Sequence, residues 1–170
     1  MEIYTKEDLK DEDWEIRREA YRALGYNEQA LEDEGWFIRR EAYRTLGYIE
    51  QAFKDEDYDI RLEAYRSLGY NKQALKDEYW EIRLEAYQAL GFNEQAFKDK
   101  DWHIRRGAYR TLGYNEQALK DKDWEIRLEA KIYLDFMNDT TLEDAPLHLN
   151  SENRLKAIAA KHMLERSKLK

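Results

Sequence analysis

The sequence predicts an all-α fold: an α-solenoid of six 22-residue helix–turn–short-helix repeats, with an N-terminal half-repeat and a C-terminal capping helix. Three observations carry this expectation. Asp recurs every 22 residues, at Asp11, Asp33, Asp55, Asp77, Asp99 and Asp121, and each opens a near-copy of DEDWEIRREAYRALGYNEQALE. With each opening Asp as position 1, Ile at 6, Arg at 7, Ala at 10 and Leu at 14 are identical in all six copies. From position 4 to 14 there is no Pro, Gly occurs only at Gly107, and the apolar positions follow the helical period. Each repeat of a solenoid packs only on its neighbours. The chain therefore reads as a single domain, with 1–10 as the N-cap half-repeat, 11–142 as the repeats and 143–170 as the C-terminal cap.

The elements follow in order. Tyr4 to Lys10 align with the second half of a repeat, Tyr4 at its aromatic position and Leu9 at its Leu/Phe position. In each long helix, positions 4, 11, 7, 14, 10 and 6 fall in one arc of roughly 160° and are expected to face inward. Position 4 is Trp14, Trp36, Trp80, Trp102 or Trp124, with Tyr58 in the third copy. That row reads either as core or as an aromatic ladder along a groove. Asp at position 3 or 1 suits an N-cap. Gly at 15, replaced by Asp135 in the last repeat, suits a left-handed C-cap. Position 16 is always aromatic: Tyr26, Tyr48, Tyr70, Phe92, Tyr114 and Phe136. The remaining residues, as in NEQALE, fit one or two turns of α- or 3₁₀-helix opened by Asn. Layers of unequal length should make the stack curve. The sixth repeat drifts after Ala130, and Pro146 marks a break. Ser151 or Asn150 then caps a helix over about 152–167, with Leu155, Ile158, Ala159 and His162 or Met163 inward. Arg154, Lys156, Lys161, Arg166, Lys168 and Lys170 give that end a basic surplus.

Arg at position 7 lies inside the buried arc, where an unpaired guanidinium is very costly. Its natural partner is the fully repeated Asp, of the same or an adjacent repeat. The expected ladder joins Asp11, Asp33, Asp55, Asp77, Asp99 and Asp121 with Arg17, Arg39, Arg61, Arg83, Arg105 and Arg127. Arginines free to grip a phosphate or carboxylate are the alternative.

The run D-x-D-W-x-I-R-x-x-A-x-x-x-L-G resembles the HEAT-like repeats of the phycobilisome-lyase type over about residues 11 to 142. That resemblance implies an inter-repeat ladder from an Asp and an Arg six positions apart, the spacing of Asp11 and Arg17. The short period and stunted second helix are similar to the leucine-rich variant repeat, which alternates α- and 3₁₀-helix. Here G-Y-N or G-F-N stands where that repeat has an Asn-Pro turn. These families range from scaffolds to lyase subunits and DNA-repair glycosylases, so the resemblance implies a fold more than a function.

Charged residues make up 39% of the chain and the net charge is −8. The acidic balance argues against bulk nucleic-acid binding, whose footprint is a basic face. Charge is unevenly spread: the repeat from Asp11 carries −4 and that from Asp99 carries +2. Without cysteine, disulfides and thiolate metal sites are excluded. No run approaches the roughly 18 apolar residues of a membrane span. MEIYTKEDLK, charged throughout, does not read as a signal peptide, which leaves the cytoplasm as the expected compartment.

No phosphate-binding glycine loop, zinc spacing or nucleophile elbow occurs, and His103, His148 and His162 are scattered. No enzymatic activity, cofactor or metal is expected. Departures from the consensus mark where a partner could be recognised: Phe37 and Ile49 in repeat two, His103 in repeat five, and the pairs Arg40/Arg44 and Arg106/Arg110. His103 and Gly107 replace two acids, which should leave Arg106 and Arg110 unopposed. The first expectation is a protein-binding scaffold or adaptor presenting an extended curved surface to another protein. A nucleic-acid-binding HEAT-like protein and a small acidic inhibitor of a nucleic-acid-binding partner are the alternatives. Oligomeric state does not follow from the sequence.

Overall fold

The computed structural model describes residues 4–168, all-helical with no strand among them. The long helices are α1 (Trp14–Leu24), α2 (Trp36–Leu46), α3 (Tyr58–Leu68), α4 (Trp80–Leu90), α5 (Trp102–Leu112), α6 (Trp124–Asp139) and α7 (Arg154–Ser167). The first six begin 22 residues apart, as an α-solenoid requires. Between them lie short 3₁₀ segments, such as Glu28–Glu32, Glu50–Lys54 and Glu94–Lys98. Asp8–Lys10 provides one before α1, and Ala145–His148 one before α7. The fold divides into two compact units, Met1–Ala74 and Leu75–Lys170.

Local chemistry sets the ends of each helix. Position 3 is the N-cap: Asp13, Asp57, Asp101 and Asp123 each accept a first-turn amide. Position 1 instead accepts the amide of position 3, as Asp33 does from Gly35 at 2.8 Å. Gly25 stops α1 at φ +94° and ψ 141°. Its φ is positive as expected, but that ψ lies outside the left-handed helical basin. The turn leaves the helix extended, a conformation reserved almost wholly for glycine. Where Asp135 replaces the glycine, no stop exists and α6 runs on to Asp139. The last helix starts slightly later than expected, capped by Asn153, and buries Ala159, Ala160 and His162. Lys170 lies outside the described residues.

The middle of each long helix makes the core. Ala at position 10 is fully buried in all six repeats, as is the Ala of the 3₁₀ segments (Ala30, Ala52, Ala74, Ala96, Ala118). Tyr at position 11 is buried and stacks on the aromatic at position 16 across the glycine turn, with Tyr43–Tyr48 centroids 5.7 Å apart at 9°. Tyr21–Tyr26, Tyr87–Phe92 and Tyr109–Tyr114 repeat the motif at 5.5–5.8 Å. The expected inward arc needs correction at the two ends of each helix. Leu24, Leu46, Leu68, Leu90 and Leu112 are 39–47% exposed, and Trp14, Trp36 and Trp124 are exposed too. Angle alone places position 14 mid-arc. However, an 11-residue helix is only about 16 Å long, and its terminal rungs project past the neighbouring helix.

Candidate binding surface

In the N-terminal unit, Arg17 donates through Nε and Nη2 to both oxygens of Asp33, at 2.9 and 3.0 Å. Arg39 does the same to Asp55, at 2.9 and 2.8 Å. In the C-terminal unit Arg83 grips Asp99 and Arg105 grips Asp121, each at 2.7–2.9 Å. The carboxylate belongs to the next repeat, sixteen residues on. The Asp six residues back contributes its main-chain carbonyl instead: Arg17 Nη1 reaches Asp11 O at 2.8 Å and Glu12 O at 3.1 Å. Arg61 Nη1 likewise donates to Asp55 O and Glu56 O. Asp77 accepts the Tyr79 amide at 2.9 Å, and its carbonyl accepts from Arg83. Arg39, Arg83 and Arg105 are 3–6% exposed, so this ladder is buried, bidentate and internal.

A second ladder, outside the sequence expectation, links repeat two to repeat three and repeat five to repeat six. Glu63 of α3 accepts Arg44 Nε at 3.0 Å and Nη2 at 2.5 Å, and the Tyr48 hydroxyl. Glu129 of α6 accepts Arg106 and Arg110, at 2.9 and 3.1 Å through their Nε atoms, and the Tyr114 hydroxyl. Burial disfavours the charge on Glu129, but hydrogen bonds from Arg106, Arg110 and Tyr114 outweigh it and hold its pKa at about 2. Burial, then the bond to Glu129, pushes the Tyr114 hydroxyl well up. The expectation that Arg106 and Arg110 stand unopposed is therefore wrong. Their counter-charge arrives from the following repeat, with Glu125 adding a contact to Arg106 at 3.2 Å.

A sequence signal for this second ladder existed. At both junctions position 16 and position 12 of one repeat meet position 9 of the next, whereas at the first junction Arg22 pairs with Glu19 of its own repeat and the Tyr26 hydroxyl is buried without a hydrogen bond. At the one junction with Phe92 for Tyr and Gln88 for Arg, the next position 9 is Gly107 rather than Glu. Hydroxyl, guanidinium and carboxylate disappear together. A Cβ on Gly107 would lie 2.8 Å from Phe92 Cζ, so the ring occupies the vacated space. Gly107→Ala should therefore lose about 1 kcal/mol in thermal unfolding: overpacking more than cancels the helix-propensity gain.

The other candidate contacts are also engaged internally. Phe37 is half-buried, edge-on to Trp14 at 4.6 Å and Trp36 at 5.8 Å. Arg40 lies over Trp36 at 5.0 Å, its Nε buried without a hydrogen bond. His103 stacks between Trp80 (4.4 Å) and Trp102 (3.8 Å), and its Nδ1 is 3.0 Å from Asp101. Arg44 is held by Glu41 and Glu63. The aromatic row is thus neither sealed core nor a vacant ladder, since position 5 and position 8 side chains fill its gaps. His162 is buried against Tyr133, at 2.9 Å from its hydroxyl, and burial lowers its pKa.

Ile49 is the exception. It replaces the Asn that caps the 3₁₀ segment elsewhere, as Asn27 does by accepting the Gln29 amide at 2.9 Å, and it provides no cap. Its side chain is 46% exposed. With Phe53, Leu68, Tyr70, Glu50 and Asn71 it lines an open cleft of about 570 Å³ in the N-terminal unit. Leu24 lines another of about 490 Å³, with Leu9 and Asn27. In both clefts position 14, at a helix C-terminus, faces the preceding 3₁₀ segment: Glu50–Lys54 for Leu68 and Asp8–Lys10 for Leu24. The chain matches no protein family, no curated protein and no solved structure. Among the described residues no helix is long and apolar enough to cross a membrane.

Proposed function

We propose that this protein is a non-enzymatic binding scaffold that holds a protein partner on the exposed leucines of its N-terminal unit, Leu24, Leu46 and Leu68, with the Ile49–Leu68 cleft as a principal contact. One observation carries the reading. A leucine repeated at every position 14 is left 39–47% exposed in the first five repeats, where packing does not require it. Ile49 strengthens it, because there a stabilising cap is replaced by exposed apolar surface. Exposed apolar patches rimmed by polar groups mark interaction sites. The alternation of α- and 3₁₀-helix supports a kinship with leucine-rich variant repeats. A nucleic-acid partner is supported less, because Arg44, Arg106 and Arg110 already serve carboxylates.

The test compares proteins retained from the native host by the immobilised chain, by Ile49→Asn and by Leu68→Asp. Both variants should melt within a few degrees of wild type, since surface changes usually cost within about 0.5 kcal/mol. Retention of the principal partner should fall at least tenfold, on the order of the 1.4 kcal/mol that separates decades of affinity. Undiminished retention by both variants would remove the proposal.

A further inference from the structure

The buried Arg–Asp ladder is open at both ends of the repeat array. Asp11, its first carboxylate, accepts only the Asp13 amide, at 2.8 Å, and no guanidinium among the described residues. Arg127, its last guanidinium, donates Nη1 to the carbonyls of Asp121 (2.7 Å) and Lys122 (2.9 Å). Arg105 is anchored in the same way on Asp99 and Lys100, but its Nε and Nη2 continue to a carboxylate. Those two donors of Arg127 meet no acceptor among the described residues. The arginine is pre-positioned by its own repeat and lacks only the acid.

The apolar surfaces around both ends are also incomplete. Ile16 is 37% exposed, whereas Ile38, Ile60, Ile82, Ile104 and Ile126 are fully buried at the same position. Leu128 is 49% exposed, whereas Leu84 at the same position packs against the buried cluster that includes Ile104 and Ala108 of the following helix. Trp124 is the most exposed tryptophan, at 61%. Position 11, a buried Tyr in the other five repeats, is here the exposed Lys131. The capping helix α7 does not lie on this face. It packs instead against Tyr133 and beside Gly113, where His162 and Arg166 approach. The charges are complementary: Asp11, Glu12 and Glu15 mark one face, Arg127 and Lys131 the other.

We propose that a second copy of this chain docks head-to-tail on the open face of α6, with Arg127 gripping Asp11 of the next copy and Leu128 covering its Ile16. Each contact reproduces one made inside the array, as Arg105 and Leu84 make it. Such an interface is heterologous, so copies add in series rather than closing as a two-fold pair. It is independent of the leucine row, and its test needs no other protein.

Sedimentation of the full chain over increasing concentration reads it directly. Wild type should rise in average mass beyond the monomer, and the rise should shrink with added salt as the charge pair is screened. Asp11→Arg and Arg127→Asp should each remain monomeric alone. Mixed one to one they should associate again. The two substituted side chains then meet as a charge pair of reversed polarity, and the intact Arg127 of the first variant meets the intact Asp11 of the second. Circular dichroism melting verifies that both variants fold. A wild type that stays monomeric to about 1 mM, the weak limit of specific affinity considered, overturns the proposal. So does a folded pair of variants that stays monomeric when mixed, or an Asp11→Arg that associates like wild type.

Discussion

Replacing Arg105 with alanine should cost the C-terminal unit about 3–5 kcal/mol. Arg105 is 3% exposed and makes four hydrogen bonds: two to the Asp121 carboxylate and two to main-chain carbonyls. Its removal leaves Asp121 buried with only the Asp123 amide at 2.8 Å, and takes a donor from the carbonyl of Asp99 and from that of Lys100, which keeps Lys122 Nζ at 3.1 Å. Burial works against the Asp121 charge, and the Arg105 hydrogen bond is the main cause of its lowered pKa. Without that bond the carboxylate must be desolvated for nothing. Urea unfolding followed by circular dichroism measures the loss. Arg127→Ala is the internal control: same sequence position, same carbonyl anchors, but exposed and without a carboxylate. It should lie within about 1 kcal/mol of wild type. Equal losses for the two variants would show that the carbonyl anchors, not the buried ion pair, carry the energy.

Glu129→Gln should destabilise the same unit by about 2–3 kcal/mol at pH 7, since each tenfold change in proton affinity corresponds to about 1.4 kcal/mol. The carboxylate joins two arginines and a buried tyrosine hydroxyl, and the neutral amide cannot accept all of them as a charged acceptor does. The sign follows from the direction of the shift. The folded pKa of about 2 lies below the ordinary 4.5, so the unfolded chain binds the proton more readily. This stabilisation is complete above about pH 4.5 and is lost as pH falls from there through about 2. Wild type and Glu129→Gln should therefore differ most at neutral pH and converge near pH 2. A constant difference across that range would mean that Glu129 acts by shape rather than charge.

The repeat length, the helix boundaries and the existence of an Arg–Asp ladder are legible in the sequence because each rests on local or strictly periodic chemistry. Gly25 ends α1 through its own φ, and Asp13 caps it through the next residues' amides. The second ladder is legible in principle, through the joint departure of Gln88, Phe92 and Gly107 from the consensus Arg, Tyr and Glu. Pairing Arg106 and Arg110 only with acids of their own repeat does not reach it. Their partner, Glu129, is nineteen and twenty-three residues away and becomes adjacent only when repeats stack.

Two sites moved for the same reason. Phe37 and His103, read as surface departures, are wedged among tryptophans of their own and the preceding repeat. Position 14, read as core, is surface. Helical periodicity measures angle about an axis and carries no information on where along that axis a neighbour ends. The order of residues along the chain dictates the repeated helix, its caps and the pairing chemistry, because these depend on groups a few positions apart. Which rungs are covered, and which repeat supplies each counter-charge, is settled by the stacking, because burial and ion pairing depend on how far one short helix overlaps the next.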